Sequence, residues 1–176
     1  LSTKAQQSLQ NSLKEFAYAE LHFINVTQYD EKIKNFGTKA HYSKEIFYKL
    51  IATDVLPQYD RIICSDVDVV FTGDFSPVFF MFPNEKFYYA GVGPIENSRM
   101  PYYWQDFSTA EMEILEHEIA AGFLLINLKE LRNDHKQEEI IKFLCQQTIH
   151  DYVYRNKTAF TFKPVGPTSN IYPIGY

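Results

Sequence analysis

Residues 59–75, YDRIICSDVDVVFTGDF, constrain the chain more tightly than any other stretch. Ile62, Ile63 and Cys64 form an apolar run that reads as a buried strand of an α/β sheet. The run ends in Ser65-Asp66-Val67-Asp68, and a second apolar run, Val69-Val70-Phe71, precedes the breaker Gly73-Asp74. Two carboxylates set between core segments need a partner, because an unpaired buried charge is costly. In extended backbone, Asp66 and Asp68 point to the same side, roughly 6.5 Å apart. Where a strand frays into a loop, the two can converge on one cation. Their hard oxygens suit Mg²⁺ or Mn²⁺, which keep positions open for phosphate oxygens. Ligands of open α/β sheets bind just outside strand carboxyl ends, where this pair falls. The tripeptide alone also fits a turn capped by Asp66, with Asp68 facing water.

At 176 residues, one domain over 1–176 is the expectation, with room for a sizeable core. A net charge of −5 argues against nucleic acid as a partner, since such proteins concentrate Lys and Arg. Aromatic residues make up 16% of the chain, enough to fill a core and to line a site for flat rings such as bases or sugars. Cys64 and Cys145 form no CxxC pair, and no secretory signal is evident, which suggests reduced thiols in a cytosolic protein. No apolar run is long enough to be a transmembrane segment.

Ala5, Leu9, Leu13 and Phe16 recur at helical spacing over 3–18, and LHFINV (21–26) reads as a strand. Ser43 is placed to cap a helix running to about Val55, with Ile46, Phe47, Leu50 and Ile51 on its apolar face. By pattern, Lys49 lies off that stripe and is a solvated lysine. FSPVFFMF (75–82) contains Pro77 and favours a short helix or turn, and KFYYAGV (86–92) reads as a strand.

The long aromatic loop 95–107 is either functional or a plug over the core, and Ser108-Thr-Ala-Glu111 is a capping box opening a helix. AAGFLLINL (120–128) is a second buried strand, with Asn127 a polar group to be satisfied. A helix is expected from Gln137 to about Tyr152, an edge strand at TAFTF (158–162), and an irregular Pro- and Gly-rich tail. Strands alternating with helices predict a mostly parallel α/β sheet with helices on both faces.

The segment HYSKEIFYKLIATDVLPQYDRIICSDVDVVFTGDFSPVF resembles the core signature of glycosyltransferase family 8. That family includes bacterial lipopolysaccharide galactosyl- and glucosyltransferases and is related to glycogenin. Its pattern of aromatic-x-Arg-Leu, Leu-Pro, Asp-x-Asp and Gly-Asp is matched here by Phe47-Tyr48-Lys49-Leu50, Leu56-Pro57, Asp66-Val67-Asp68 and Gly73-Asp74. AGFLLINLKELR (121–132) is similar to the family's Asn-Ala-Gly-Val-x-x-Ile-Asn-Leu block.

The resemblance implies a Rossmann-like GT-A fold and retaining transfer of a hexose from a UDP-sugar donor to a saccharide or glycolipid acceptor. It implies Mn²⁺ (or Mg²⁺) on Asp66 and Asp68, with Ser65, Val67, Lys49, Ala121 and Gly122 at the donor. The setting it implies is cytoplasmic, or peripheral at the inner membrane surface, in lipopolysaccharide or cell-surface glycan synthesis.

The sequence departs from the family at several positions. Lys49 replaces the Arg and loses its bidentate fork. Ala120 stands where an Asn precedes Ala-Gly. An acidic Asp-Gln-Asp stretch beside the reacting centre aligns with Gln146-Gln147-Thr148, which retains Gln147 alone, and Asp151 stands where Asn is usual. The first, base-cradling strand and a C-terminal His-Tyr-x-Gly block are not found, so the chain is expected to be an incomplete domain. None of His22, His41, His117, His135 or His150 lies in such a block. These departures keep open an alternative: a catalytically degenerate nucleotide-sugar-binding or assembly module of the same fold.

Overall fold

The structure is a computed structural model that describes residues 1–33, 44–92, 119, 121–144, 162–165 and 171–173. Its centre is a four-stranded sheet in the order β1-β4-β3-β5, formed by β1 (Arg61–Ser65), β4 (Phe123–Asn127), β3 (Tyr89–Val92) and β5 (Phe162–Val165). A two-stranded sheet pairs β2 (Val69–Phe71) with β6 (Ile171–Pro173).

β4 is antiparallel to both β1 and β3, and β5 is parallel to β3. Three of the four strands therefore share a direction, and β4 runs against them. This qualifies the mostly parallel sheet expected above: two of its three hydrogen-bonded pairings are antiparallel. An apolar strand buried on both faces reads the same in either direction, so composition could not reveal the reversal. The reversal also has a geometric consequence. The carboxyl end of β1 and the amino end of β4 lie at the same rim, with Ser65 opposite Phe123.

Side-chain alternation builds the two faces. Leu124 and Ile126 of β4, Ile62 and Cys64 of β1 and Tyr89 of β3 pack in one cluster with Ala52, Leu128, Leu131 and Ile140. Those last four belong to the helices α3 (Ala52–Val55), α5 (Leu128–Asn133) and α6 (Lys136–Leu144). Phe123, Leu125, Ile63 and Ala90 face the other way, against Phe87 and against Val78 and Phe79 of α4 (Ser76–Phe79). All five residues of β4 are buried, which makes it the centre of the core. Burying each large side chain is worth about 1.5–3 kcal/mol. Helices do cover both faces, as alternation predicted.

The helix expected over 43–55 is a 3-10 helix, Lys44–Ile51, running into α3, and it buries Phe47 and Ile51. Ser43 lies outside the described residues. Buried Gln137 of α6 ties this layer together. Its Oε1 accepts from the Thr53 amide at 2.9 Å, and its Nε2 donates to Asp54 Oδ2 at 2.7 Å. Asn127 is satisfied as the N-cap of α5, accepting from the Glu130 amide at 3.2 Å.

Three expectations are corrected. Residues 21–26 form no strand: Asn25 Oδ1 accepts from the Thr27 amide and hydroxyl at 3.0 and 2.7 Å, turning the chain into a 3-10 helix at Thr27–Tyr29 that leads into α2 (Asp30–Ile33). The first helix, α1, spans only Thr3–Ser12 and buries no residue, so its apolar stripe has no core beneath it among the described residues. The tail is not wholly irregular, since Ile171–Pro173 pairs with β2 through backbone contacts that composition does not announce.

The edge strand begins at Phe162, the last residue of TAFTF, and its Pro164 is tolerated at the sheet edge. The loop 95–107, the helix from Ser108 and the end of the helix after Leu144 lie outside the described residues.

Candidate functional site at the carboxyl rim of β1

Asp66, Val67 and Asp68 form a tight turn between β1 and β2, and the Val69 amide donates to the Asp66 carbonyl at 3.3 Å. The two aspartates are thus on a turn, where the strand leaves the central sheet for the two-stranded one, as the fraying of the strand into a loop allowed. All three residues are exposed, with Val67 at the tip. The carboxylates are not sealed under packing. The hydroxyl of Ser65 donates to the Asp66 carbonyl at 2.9 Å, which stiffens the first bend.

The turn is anchored to β4. The Asp66 amide donates to the Gly122 carbonyl at 2.8 Å, one step beyond the Ser65–Phe123 pairing. The nearest atom to a Cβ built on Gly122 is Asp66 Oδ2 at 3.4 Å, so the glycine leaves the carboxylate an open flank.

Lys49 completes the cluster. Its ammonium donates to Asp66 Oδ1 and, at 2.6 Å, to the Ala121 carbonyl. The lysine side chain retains 16% exposure against 46% for Asp66, so the cation rises from the packed side toward an accessible anion. Lys49 is therefore not the solvated lysine that the helical stripe suggested. Helical backbone of 3-10 pitch shifts the face on which position 49 falls.

Of the residues singled out in the sequence, Lys49, Ser65, Asp66, Ala121 and Gly122 meet at this rim. Val67 and Asp68 occupy the adjoining turn. Gln147 and Ala120 lie outside the described residues. No group of three or more His, Cys, Asp or Glu placed for a metal occurs among the described residues.

The donor chemistry nevertheless fits a hard divalent ion. Exposed carboxylates two residues apart on one turn match ions that take one or two protein carboxylates and complete their shell with water and phosphate oxygens. Cys64, just beneath, is a free thiol whose pKa burial pushes up, so it is not a nucleophile candidate.

The fold, a mixed α/β sheet, is shared with GT-A glycosyltransferases of known structure. The apo structure of the bifunctional glycosyltransferase WbbM is similar over 94% of this chain, with TM-score 0.70 and 20% identity. The galactosyltransferase LgtC in complex with donor and acceptor sugar analogues is similar over 92%, with TM-score 0.59 and 18% identity. An active-site mutant of LgtC gives TM-score 0.57 and 17% identity.

The chain spans 31% of the WbbM chain and 59% of the LgtC chain, so it corresponds to part of each. No curated protein sequence matches it. The profile of Glycosyl transferase family 8 matches residues 1–162, and the chain belongs to that family. That is the family whose signature the sequence resembles.

Proposed function

We propose that this chain is the donor-binding part of a retaining glycosyltransferase. It would move a hexose from a UDP-sugar to a saccharide or glycolipid acceptor, in lipopolysaccharide or cell-surface glycan synthesis. The carrying observation is the meeting of Lys49, Asp66 and the Ala121–Gly122 backbone at the carboxyl rim of β1. Asp66 and Asp68 would hold Mn²⁺ or Mg²⁺, which supplies Lewis-acid neutralisation of the departing diphosphate.

The chain's own residues do the positioning. Gly122 leaves space beside the carboxylate for ligand approach. Lys49 contributes a second positive charge close to where the diphosphate binds. Ser65 and the Asp66–Gly122 hydrogen bond hold the turn before ligand arrives, which lowers the ordering cost of binding. With retention, the acceptor hydroxyl attacks from the face that the diphosphate leaves, through an oxocarbenium-like transition state. Gln147 is assigned beside the reacting centre on the family pattern alone.

No helix among the described residues is long and apolar enough to cross a membrane. A cytoplasmic enzyme, or one peripheral at the inner membrane surface, accords with a glycolipid acceptor. The test is hydrolysis and transfer of UDP-hexoses by the full gene product, with and without Mn²⁺. Metal-dependent turnover supports the reading. Mn²⁺-dependent UDP binding without turnover would identify the degenerate binding module instead.

A further inference from the structure

We infer that Lys49 occupies the Asp66 carboxylate in place of a divalent ion. It must let go when metal and nucleoside diphosphate arrive, and this exchange couples the two binding events. The inference rests on the metal role proposed for Asp66.

Its ground is the pairing at the rim: one ammonium bonds both Asp66 Oδ1 and the Ala121 carbonyl. Lys49 is the more buried partner, held by the helix that buries Phe47 and Ile51 on either side of it. The ammonium therefore stays near the carboxylate whether or not a ligand is present. A metal ion coordinating Asp66 would share a carboxylate whose charge the ammonium already offsets through Oδ1, and would meet the repulsion of that neighbouring cation.

Metal alone therefore binds against Lys49. A diphosphate reverses the balance, because it offers new acceptors to the displaced ammonium, which has three donors and keeps only the Ala121 carbonyl. The residue type matters here. A lysine releases a carboxylate as a single point charge, whereas an arginine would grip it through a planar fork.

The linkage has a direct readout. Mn²⁺ alone, and Mn²⁺ in saturating UDP, are titrated calorimetrically into the full chain, its Lys49→Met variant and its Lys49→Gln variant. The glutamine keeps a donor for the Ala121 carbonyl and serves if the methionine variant does not fold, with melting curves in chelator as the check.

The variants should bind Mn²⁺ alone about five- to tenfold more tightly than the parent, and the factor by which UDP tightens Mn²⁺ should shrink by a similar amount. Unchanged or weaker binding of Mn²⁺ alone overturns the exchange while leaving the metal site standing. So does tighter binding with the UDP coupling intact, which would mean simple repulsion at a distance. Absence of Mn²⁺ binding in all three proteins, with and without UDP, overturns both the exchange and the metal reading beneath it.

Discussion

The amide of Asp66 donates to the carbonyl of Gly122 across 2.8 Å, and this one hydrogen bond ties the acidic turn to the start of the fully buried β4. It joins residues that the sequence holds far apart, and it places a carboxylate beside a backbone position without a side chain.

Gly122 and Gly91 should respond differently to alanine. A Cβ at Gly122 meets Asp66 Oδ2 at 3.4 Å and Val69 Cγ2 at 4.0 Å, both ordinary contacts. Gly122→Ala should change stability by less than about 1 kcal/mol but weaken Mn²⁺–UDP binding about three- to tenfold by narrowing the carboxylate's open flank. At Gly91 a Cβ meets the Phe123 carbonyl oxygen at 3.1 Å and Leu124 Cδ2 at 3.2 Å, inside the central sheet. Gly91→Ala should cost about 1–3 kcal/mol, read by urea denaturation.

Gln137 should prove structurally critical despite lying away from the rim. Removing its side chain leaves the Thr53 amide without the 2.9 Å acceptor it now has. Gln137→Ala is expected to destabilise by about 1–3 kcal/mol in urea melts. Its effect on Mn²⁺–UDP affinity, measured on the folded protein, should be small.

Alkaline pH should loosen the fold through two tyrosines that donate to carboxylates. Burial, and then the 2.5 Å hydrogen bond to the Asp134 carboxylate, push the Tyr88 phenol from 10.0 up to about 12. The folded state keeps a proton that the unfolded chain gives up. The resulting stabilisation is complete below pH 10 and is lost as pH rises toward about 12. Tyr48, bonded to Asp30, is raised to about 12 as well. Melting temperature should fall across this window, and less steeply in Tyr88→Phe, followed by circular dichroism at each pH.

The two strands that carry the site were legible because each is an uninterrupted apolar run closed by polar residues. The Asp-x-Asp was legible because carboxylates inside such sequence demand an explanation. The direction of β4 was not, since a strand buried on both faces carries no polarity in its pattern.

LHFINV misled for the opposite reason. Its side chains partly alternate between half-buried and exposed, as a strand's would, yet no ladder partner lies beside it among the described residues. The pairing of Lys49 with Asp66 and Ala121 spans separations of 17 and 72 residues, a relation that only folding reveals. Gln137 looked like any polar residue opening a helix, and only the Thr53 amide it meets shows why it is buried.

The acidic turn should grip a metal-bound diphosphate. Calorimetric titration of UDP in the presence of Mn²⁺ into the parent chain, Asp66→Asn and Asp68→Asn tests this most directly. Both aspartates are exposed, so the variants should stay folded, with stability changed by about 1 kcal/mol or less. Each should lose at least about tenfold in Mn²⁺-dependent UDP affinity, while the parent's affinity should disappear on adding chelator. Equal Mn²⁺–UDP affinity in all three proteins would contradict the account.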